Sequence, residues 1–342
     1  MTGGRWVTAA TLAAAAGVDL VYGSDASLVV TLVFGPFVAS ALATTRDTAV
    51  AAIVAVITAI ALGWSDGTFG SSAHVVRVVA VALGGALAIR LALERARRDA
   101  KLVAVTRVAE VAQLSILHPI PDELDGVRLA ARYRSASVEA DIGGDFYGVV
   151  PTPWGVRLVV GDVRGKGLDA VRLASVLLGE FRSRAVTEPL LADVATAMDS
   201  TGARYSDSSG EEFATAVLVQ FDPAADAMVT VRCGHPLLLM AAGGRVAALQ
   251  EPTSLPLCMG SEPAASVTPL APDARVLAYS DGAFEGRNAA GQPFDLASSF
   301  ARHSTTADPG EVLDAILVDL ESHCASGIDD DVILVLARAR PR

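Results

Sequence analysis

Residues 146–170 read "FYGVVPTPWGVRLVVGDVRGKGLDA", and the changes of pattern within them decide the fold. Phe146 to Val150 and Val156 to Val163 are runs rich in β-branched residues, joined by a Pro/Gly turn, the signature of two paired strands. The second run delivers Asp162 to its end and passes through the glycine-rich "VRGKG". It then enters "GLDAVRLASVLLGEFRSRA", where apolar residues recur three and four apart, as on a helix.

The same design recurs on both sides of this stretch. Upstream, "EADIGGDFYGVV" places Asp145 behind Gly143 and Gly144, a sequence that also makes an ordinary turn, because glycine supplies positive φ and Asp hydrogen-bonds its own backbone. Downstream, Asp281 ends "VLAYSDG", and Asp329, Asp330 and Asp331 precede "VILVLAR". "VRLAARYRSA", "FATAVLVQFD", "AMVTVRCG", "PLLLMAAGG" and "RVAALQ" read as further strands, the last four spaced like hairpins. "PLLADVATAMDS" and "PGEVLDAILVDLESHC" read as helices. Many strands with helices in separate blocks predict antiparallel sheets covered by helices. Carboxylates gathered at strand ends repel one another unless a cation sits between them. Oxygen ligands of this kind suit hard divalent cations such as Mg2+ or Mn2+.

The first 93 residues have a different texture, and they raise the mean hydropathy of the 342-residue chain to +0.44, above that of an ordinary soluble protein. Four apolar runs, at about 6–22, 27–43, 48–64 and 75–93, each approach the length needed to cross a bilayer. A cleaved signal peptide would be a single run, so four predict a permanent membrane domain. Arg5, Arg46 and "ERARRDAK" flank one set of ends, whereas "GSDA" and "SDGTFGSS" carry no Lys or Arg; the positive-inside rule therefore places both termini in the cytoplasm. Asp19, His74 and Arg77 fall near the outer ends, where residues snorkel to the interface or form a buried cluster. Residues 94–119 predict a linker helix, with Leu102, Val105, Ala109, Ala112 and Ile116 on one stripe. That stripe fits a homodimer seam and packing on the following domain equally well. Pro119 and Pro121 end the helix, so a third region begins near residue 120.

Charge and cysteine usage narrow the function. A net charge of -11 disfavours nucleic acid, which needs a basic face, and leaves proteins as the expected partners. Cys233, Cys258 and Cys324 form no Cys-x-x-Cys pair and fit reduced thiols. No nucleophile elbow and no Cys with a placed His is present.

Taken in order, "DIGGDFYGVV", "GDVRGKGLDA", "EFATAVLVQFD", "CGHPLLLM", "LAYSDGAFEGRN" and "GIDDDVILVLAR" resemble the bacterial metal-dependent protein phosphatases of the protein phosphatase 2C superfamily, in the group like stage II sporulation protein E. The resemblance covers about residues 120–340. It implies an α+β fold, an α/β/β/α sandwich with a two-metal centre at one end of the sheets, holding two Mn2+ or Mg2+ ions. The family's bridging aspartate corresponds to Asp162, with the carbonyl of Val163 holding one ion. Asp145, Asp281 and Asp330 correspond to the other ligands, Asp331 lying beside the last. Asp162, Asp145 and Asp281 are thereby the catalytic acids, and the implied activity is hydrolysis of phosphoserine or phosphothreonine by a metal-activated water. The implied substrate is a phosphorylated cytoplasmic protein, an antagonist of an anti-sigma factor, reached from the membrane.

Some residues leave two readings open. Lys166 orients its loop and attracts phosphate, or is a solvated loop lysine; His235 is a structural histidine or a general acid; Glu285 is a supporting acid or a surface residue. Phe146 and Tyr147 are expected to pack. The chain departs from many relatives in "PLCMG", where Cys258 takes a glycine position, and in lacking the second proline of "GHP"; like the bacterial branch it resembles, and unlike the eukaryotic relatives, it has no Arg between Ser135 and Gly144.

Overall fold

The computed structural model describes residues 28–65, 67–135, 143–206, 212–222, 226–324, 327–328 and 330–339. The chain divides into two units between Val105 and Thr106.

In the first unit, a short 3-10 helix, Leu28–Val33, leads into α1 (Phe34–Leu42), followed by α2 (Thr45–Ser65) and the larger part of α3 (Ser72–Ile116), whose residues from Thr106 on belong to the second unit. The expected span at 6–22 lies outside the described residues. The span expected at 27–43 is divided between the 3-10 segment and α1, and its apolar helix, Thr31–Leu42, falls short of a crossing. Thr45–Ser65 and Ser72–Lys101 are long and apolar enough to cross a membrane. The buried face of α2 carries Ala51, Ala52, Ala55, Ala59 and Gly63, while Val50, Ile53, Ile57 and Trp64 are exposed. Apart from Leu62, the buried positions are thus held by small residues and the exposed ones by large apolar side chains, the inverse of a typical water-soluble helix. His74 does not reach outward: it is buried against Gly63, its ring centroid 5.6 Å from that of Phe69. The fourth expected span and the linker form one uninterrupted helix, because nothing from Ser72 to Ile116 breaks it.

The second unit holds two antiparallel sheets. One has the order β1 (Glu123–Leu124), β2 (Val127–Arg134), β11 (Val332–Ala339), β10 (Arg275–Tyr279), β7 (Leu239–Ala242), β8 (Arg245–Ala248). The other has the order β3 (Phe146–Thr152), β4 (Gly155–Val163), β5 (Ala214–Asp222), β6 (Ala227–Cys233), β9 (Ala265–Pro269). The run of hairpin-spaced strands therefore splits, and the chain changes sheets at "GHP", between β6 and β7.

Helices α4 (Leu168–Arg184) and α5 (Leu191–Tyr205) cover the second sheet. The four-residue α6 (Gly282–Glu285) follows β10, while α7 (Leu296–His303) and α8 (Pro309–His323) cover the first sheet. Asp308 caps α8 by accepting from the Glu311 N–H, with Pro309 in the first turn where its missing N–H costs nothing. The layers are thus α/β/β/α.

Successive side chains of a strand face opposite sides, and both sides of β11 are covered. Ile333, Val335 and Ala337 enter the main core, which spans both sheets, α4 and α5, whereas Val332, Leu334 and Leu336 pack beneath α7 and α8. That two-sided burial makes the strand a continuous apolar run and leaves its polar residues at the ends. Arg157, fully buried on β4, donates to the carbonyl oxygens of Ala185, Glu188 and Pro189 and so fixes the α4–α5 connection to the sheet.

Candidate metal centre

The strand registers decide which acids meet. Phe146 pairs with Gly161, so Asp145, one residue before β3, lies beside Asp162 near the end of β4. In the other sheet Tyr279 pairs with Leu334, which brings Asp281, two residues past β10, next to Asp330 and Asp331, just ahead of β11. One carboxylate oxygen from each of Asp145, Asp162 and Asp281 lies within 4.8 Å of the others.

Two glycines make this approach sterically feasible. A Cβ on Gly144 would stand 2.8 Å from the Val163 carbonyl oxygen, and one on Gly282 would collide with the Asp331 carbonyl oxygen.

Crowding shows in the electrostatics. Burial, then the Asp162 charge, pushes Asp145 well above the ordinary carboxylate range. Burial and Asp281 push Asp162 up to about 7, and burial, Asp330 and Glu285 raise Asp281. One oxygen of the buried Asp145 has no hydrogen-bond partner. Hard oxygen donors held together against their own repulsion, one of them buried and unbonded, fit a divalent cation.

The remaining site residues separate into ligand candidates and supports. Asp330 stands beside the trio without joining it, and its carboxylate accepts the Asp331 N–H at 2.9 Å. Asp331 is buried, and its Oδ2 accepts from the Tyr133 hydroxyl at 2.8 Å, from Gln113 Nε2 at 3.3 Å and from the Gly143 N–H at 3.3 Å. The Val163 carbonyl oxygen lies under Gly144. Lys166 is exposed in a cleft of about 230 Å3 that it shares with Arg164, Asp169 and Glu212. Glu285 is exposed, and Phe146 and Tyr147 are core residues.

His235 is structural. The Tyr279 carbonyl oxygen, 3.0 Å from Nε2, can only accept, so Nε2 carries the proton and Nδ1 accepts from the Thr215 hydroxyl at 3.0 Å. Burial depresses its pKa to about 3, so it stays neutral and locks β5 to the end of β10.

Sequence reasoning missed Ser280, Tyr133 and Gln113. The buried Ser280 hydroxyl accepts the Ile333 N–H at 2.9 Å and thereby holds the ends of β10 and β11 together. Gln113 and Tyr133 carry no local signal, since their partner Asp331 is 218 and 198 residues away.

Residues 152–340 match the family described as stage II sporulation protein E (SpoIIE). Among solved structures, the SiaA PP2C domain of Pseudomonas aeruginosa is 20% identical, with TM-score 0.60, over 71% of this chain and 98% of that one. The RsbU and RsbW domains of a Mycobacterium tuberculosis protein are 24% identical, with TM-score 0.55, over 63% of this chain. The present chain spans 60% of that Mycobacterium tuberculosis chain. The PP2C phosphatase domain of SpoIIE from Bacillus subtilis, solved with a fragment of its regulatory domain, is 16% identical, with TM-score 0.51, over 62% of this chain and 63% of that one. At these identities the likeness is one of fold.

Proposed function

The chain belongs to the SpoIIE family of PP2C-type metal-dependent serine/threonine phosphatases, and from that membership we propose a membrane-anchored enzyme that dephosphorylates a cytoplasmic signalling protein. The observation that carries the activity is the trio Asp145, Asp162 and Asp281, drawn from both sheets to within 4.8 Å, with a buried oxygen of Asp145 left unbonded.

In this reading Asp162 would be the ligand shared by two Mn2+ or Mg2+ ions, as family membership suggests. Asp145, the Val163 carbonyl, Asp281 and Asp330 would supply the remaining oxygen ligands. When bound, the ions lower the pKa of the attacking water and offset charge on the phosphoryl oxygens during in-line displacement. The chain itself holds the ligands, keeps His235 out of proton transfer, and presents Lys166 and Arg164 along the cleft beside Asp162, where a phosphoprotein's anionic surface would approach. The domain organisation we infer is a membrane region to residue 93, a linker at 94–119 and the phosphatase at 120–342. The two apolar helices and the outward-facing large residues of α2 support the anchor. An antagonist of an anti-sigma factor is the substrate class that family membership favours.

The test is Mn2+-dependent phosphate release from a panel of phosphoserine and phosphothreonine proteins alongside small phosphoesters. Asp162→Asn and Asp281→Asn are each expected to lower that release by about 100-fold or more, since changes merely next to a metal shell already cost about 10- to 100-fold, while leaving the circular dichroism spectrum unchanged. Near-normal turnover in either variant would overturn the metal assignment. Preference for small esters over every phosphoprotein would overturn the substrate class.

A further inference from the structure

Gln113, in the last turn of α3, is 1% exposed. A primary amide buried this fully must find partners for its donors and acceptor. Its Nε2 donates to the Asp145 carbonyl oxygen at 3.1 Å and to Asp331 Oδ2 at 3.3 Å, and its Oε1 lies 3.2 Å from the Tyr133 hydroxyl, whose single proton it shares with Asp331 Oδ2. The opposite amide orientation would set its oxygen against two acceptors, so the partners themselves fix the assignment. Burial, with Asp331 next, raises the Tyr133 pKa, so the phenol remains a donor to this cluster.

Asp145 depends on these bonds more than its companions do. Asp162 belongs to β4 and is paired with Thr215 in the ladder. Asp281 is held where β10 meets α6. Asp145 precedes its strand, with only Gly143 and Gly144 behind it among the adjoining described residues. Its backbone is pinned from two sides: Gln113 holds its carbonyl oxygen, and Asp331 holds the Gly143 N–H.

We propose that Gln113 is a positioning residue for metal binding: through the Asp145 backbone and Asp331 it sets where the Asp145 carboxylate stands, and so makes metal affinity depend on the last turn of α3. This inference rests on the reading of Asp145, Asp162 and Asp281 as ligands.

Calorimetric titration of the metal-stripped full chain in detergent with Mn2+ alone tests it, beside the Mn2+ dependence of phosphate release. Gln113→Leu, which removes all three bonds at similar volume, is expected to weaken Mn2+ binding about 10-fold, the effect of losing an outer-shell partner. The half-maximal Mn2+ concentration for turnover should shift equally, with most of the rate recovered at saturation. Tyr133→Phe, which keeps the ring and both Gln113 Nε2 bonds but loses the hydroxyl's contacts with Gln113 and Asp331, should shift both in the same direction by less, and it decides the matter where Gln113→Leu does not fold. A lower melting temperature with Mn2+ affinity unchanged within about twofold would mean a purely structural role and overturn the proposal. Absence of Mn2+ binding by the unaltered chain would overturn the metal centre itself.

Discussion

Cys258 has φ of +74°, a region that costs a side-chain-bearing residue about 1–2 kcal/mol and that glycine adopts freely. Its thiol occupies space that exists only because α5 carries Gly202. A Cβ there would collide with Cys258 Sγ and stand 2.9 Å from Leu177 Cδ2. The two positions form a compensating pair, a small residue on the helix for a large one on the loop. Gly202→Ala is expected to destabilise the domain by about 1–3 kcal/mol through overpacking. Adding Cys258→Gly should return most of that loss, a non-additivity that denaturant unfolding of the single and double variants would measure. Simple additivity would show that the sites are independent. Cys258 was legible as a departure from the glycine position, but not its partner, since residues 202 and 258 meet only once the sheet and helix are packed.

At the scale of elements, four strand ends carry the acids, and each end is where two-sided burial stops. That is why the meeting of these acids was legible: apolar runs that abruptly acquire Asp mark the rim of a covered sheet. The readable part had gaps with physical causes. β9 is an edge strand whose residues alternate between exposed and half-exposed, so it lacks an apolar run. The division of the hairpin-spaced strands between two sheets results from long-range pairing of β7 with β10, which spacing alone does not encode. The crowding of the acids makes a pH prediction. Asp162 is raised to about 7 in the fold against about 3.9 when unfolded. Its contribution to stability without metal is therefore fully present below the unfolded value and lost as pH rises through about 7. With EDTA, the melting temperature should fall between pH 5.5 and pH 8. Added Mn2+, which replaces the proton, should stabilise more at pH 8 than at pH 5.5. A metal-free protein more stable at pH 8 would show that these carboxylates do not repel as the geometry requires.

Across the whole molecule, one helix runs without a break from Ser72 to Ile116, the first part apolar enough for a membrane and the last turn carrying Gln113. The predicted stripe through Leu102, Val105, Ala109 and Ala112 lies on side chains outside those described, so whether it pairs two copies is open to experiment. Helix continuity has its own consequence: rotation anywhere along α3 must be absorbed by the helix or passed to its last turn. Inserting two residues after Arg107 turns the C-terminal end of α3 by about 200°, whereas inserting seven turns it by about 700°, within about 20° of two full turns. If the membrane region regulates the phosphatase through this helix, the two-residue insertion should change the basal activity of the full chain in membranes. The seven-residue insertion should largely restore it, because it returns Gln113 to its original face. Measuring phosphate release and Mn2+ dependence for both separates rotation from reach. Equal activity in all three proteins would show that α3 only tethers the domain, and equal impairment by both insertions would show that length, not helical phase, is what the phosphatase senses.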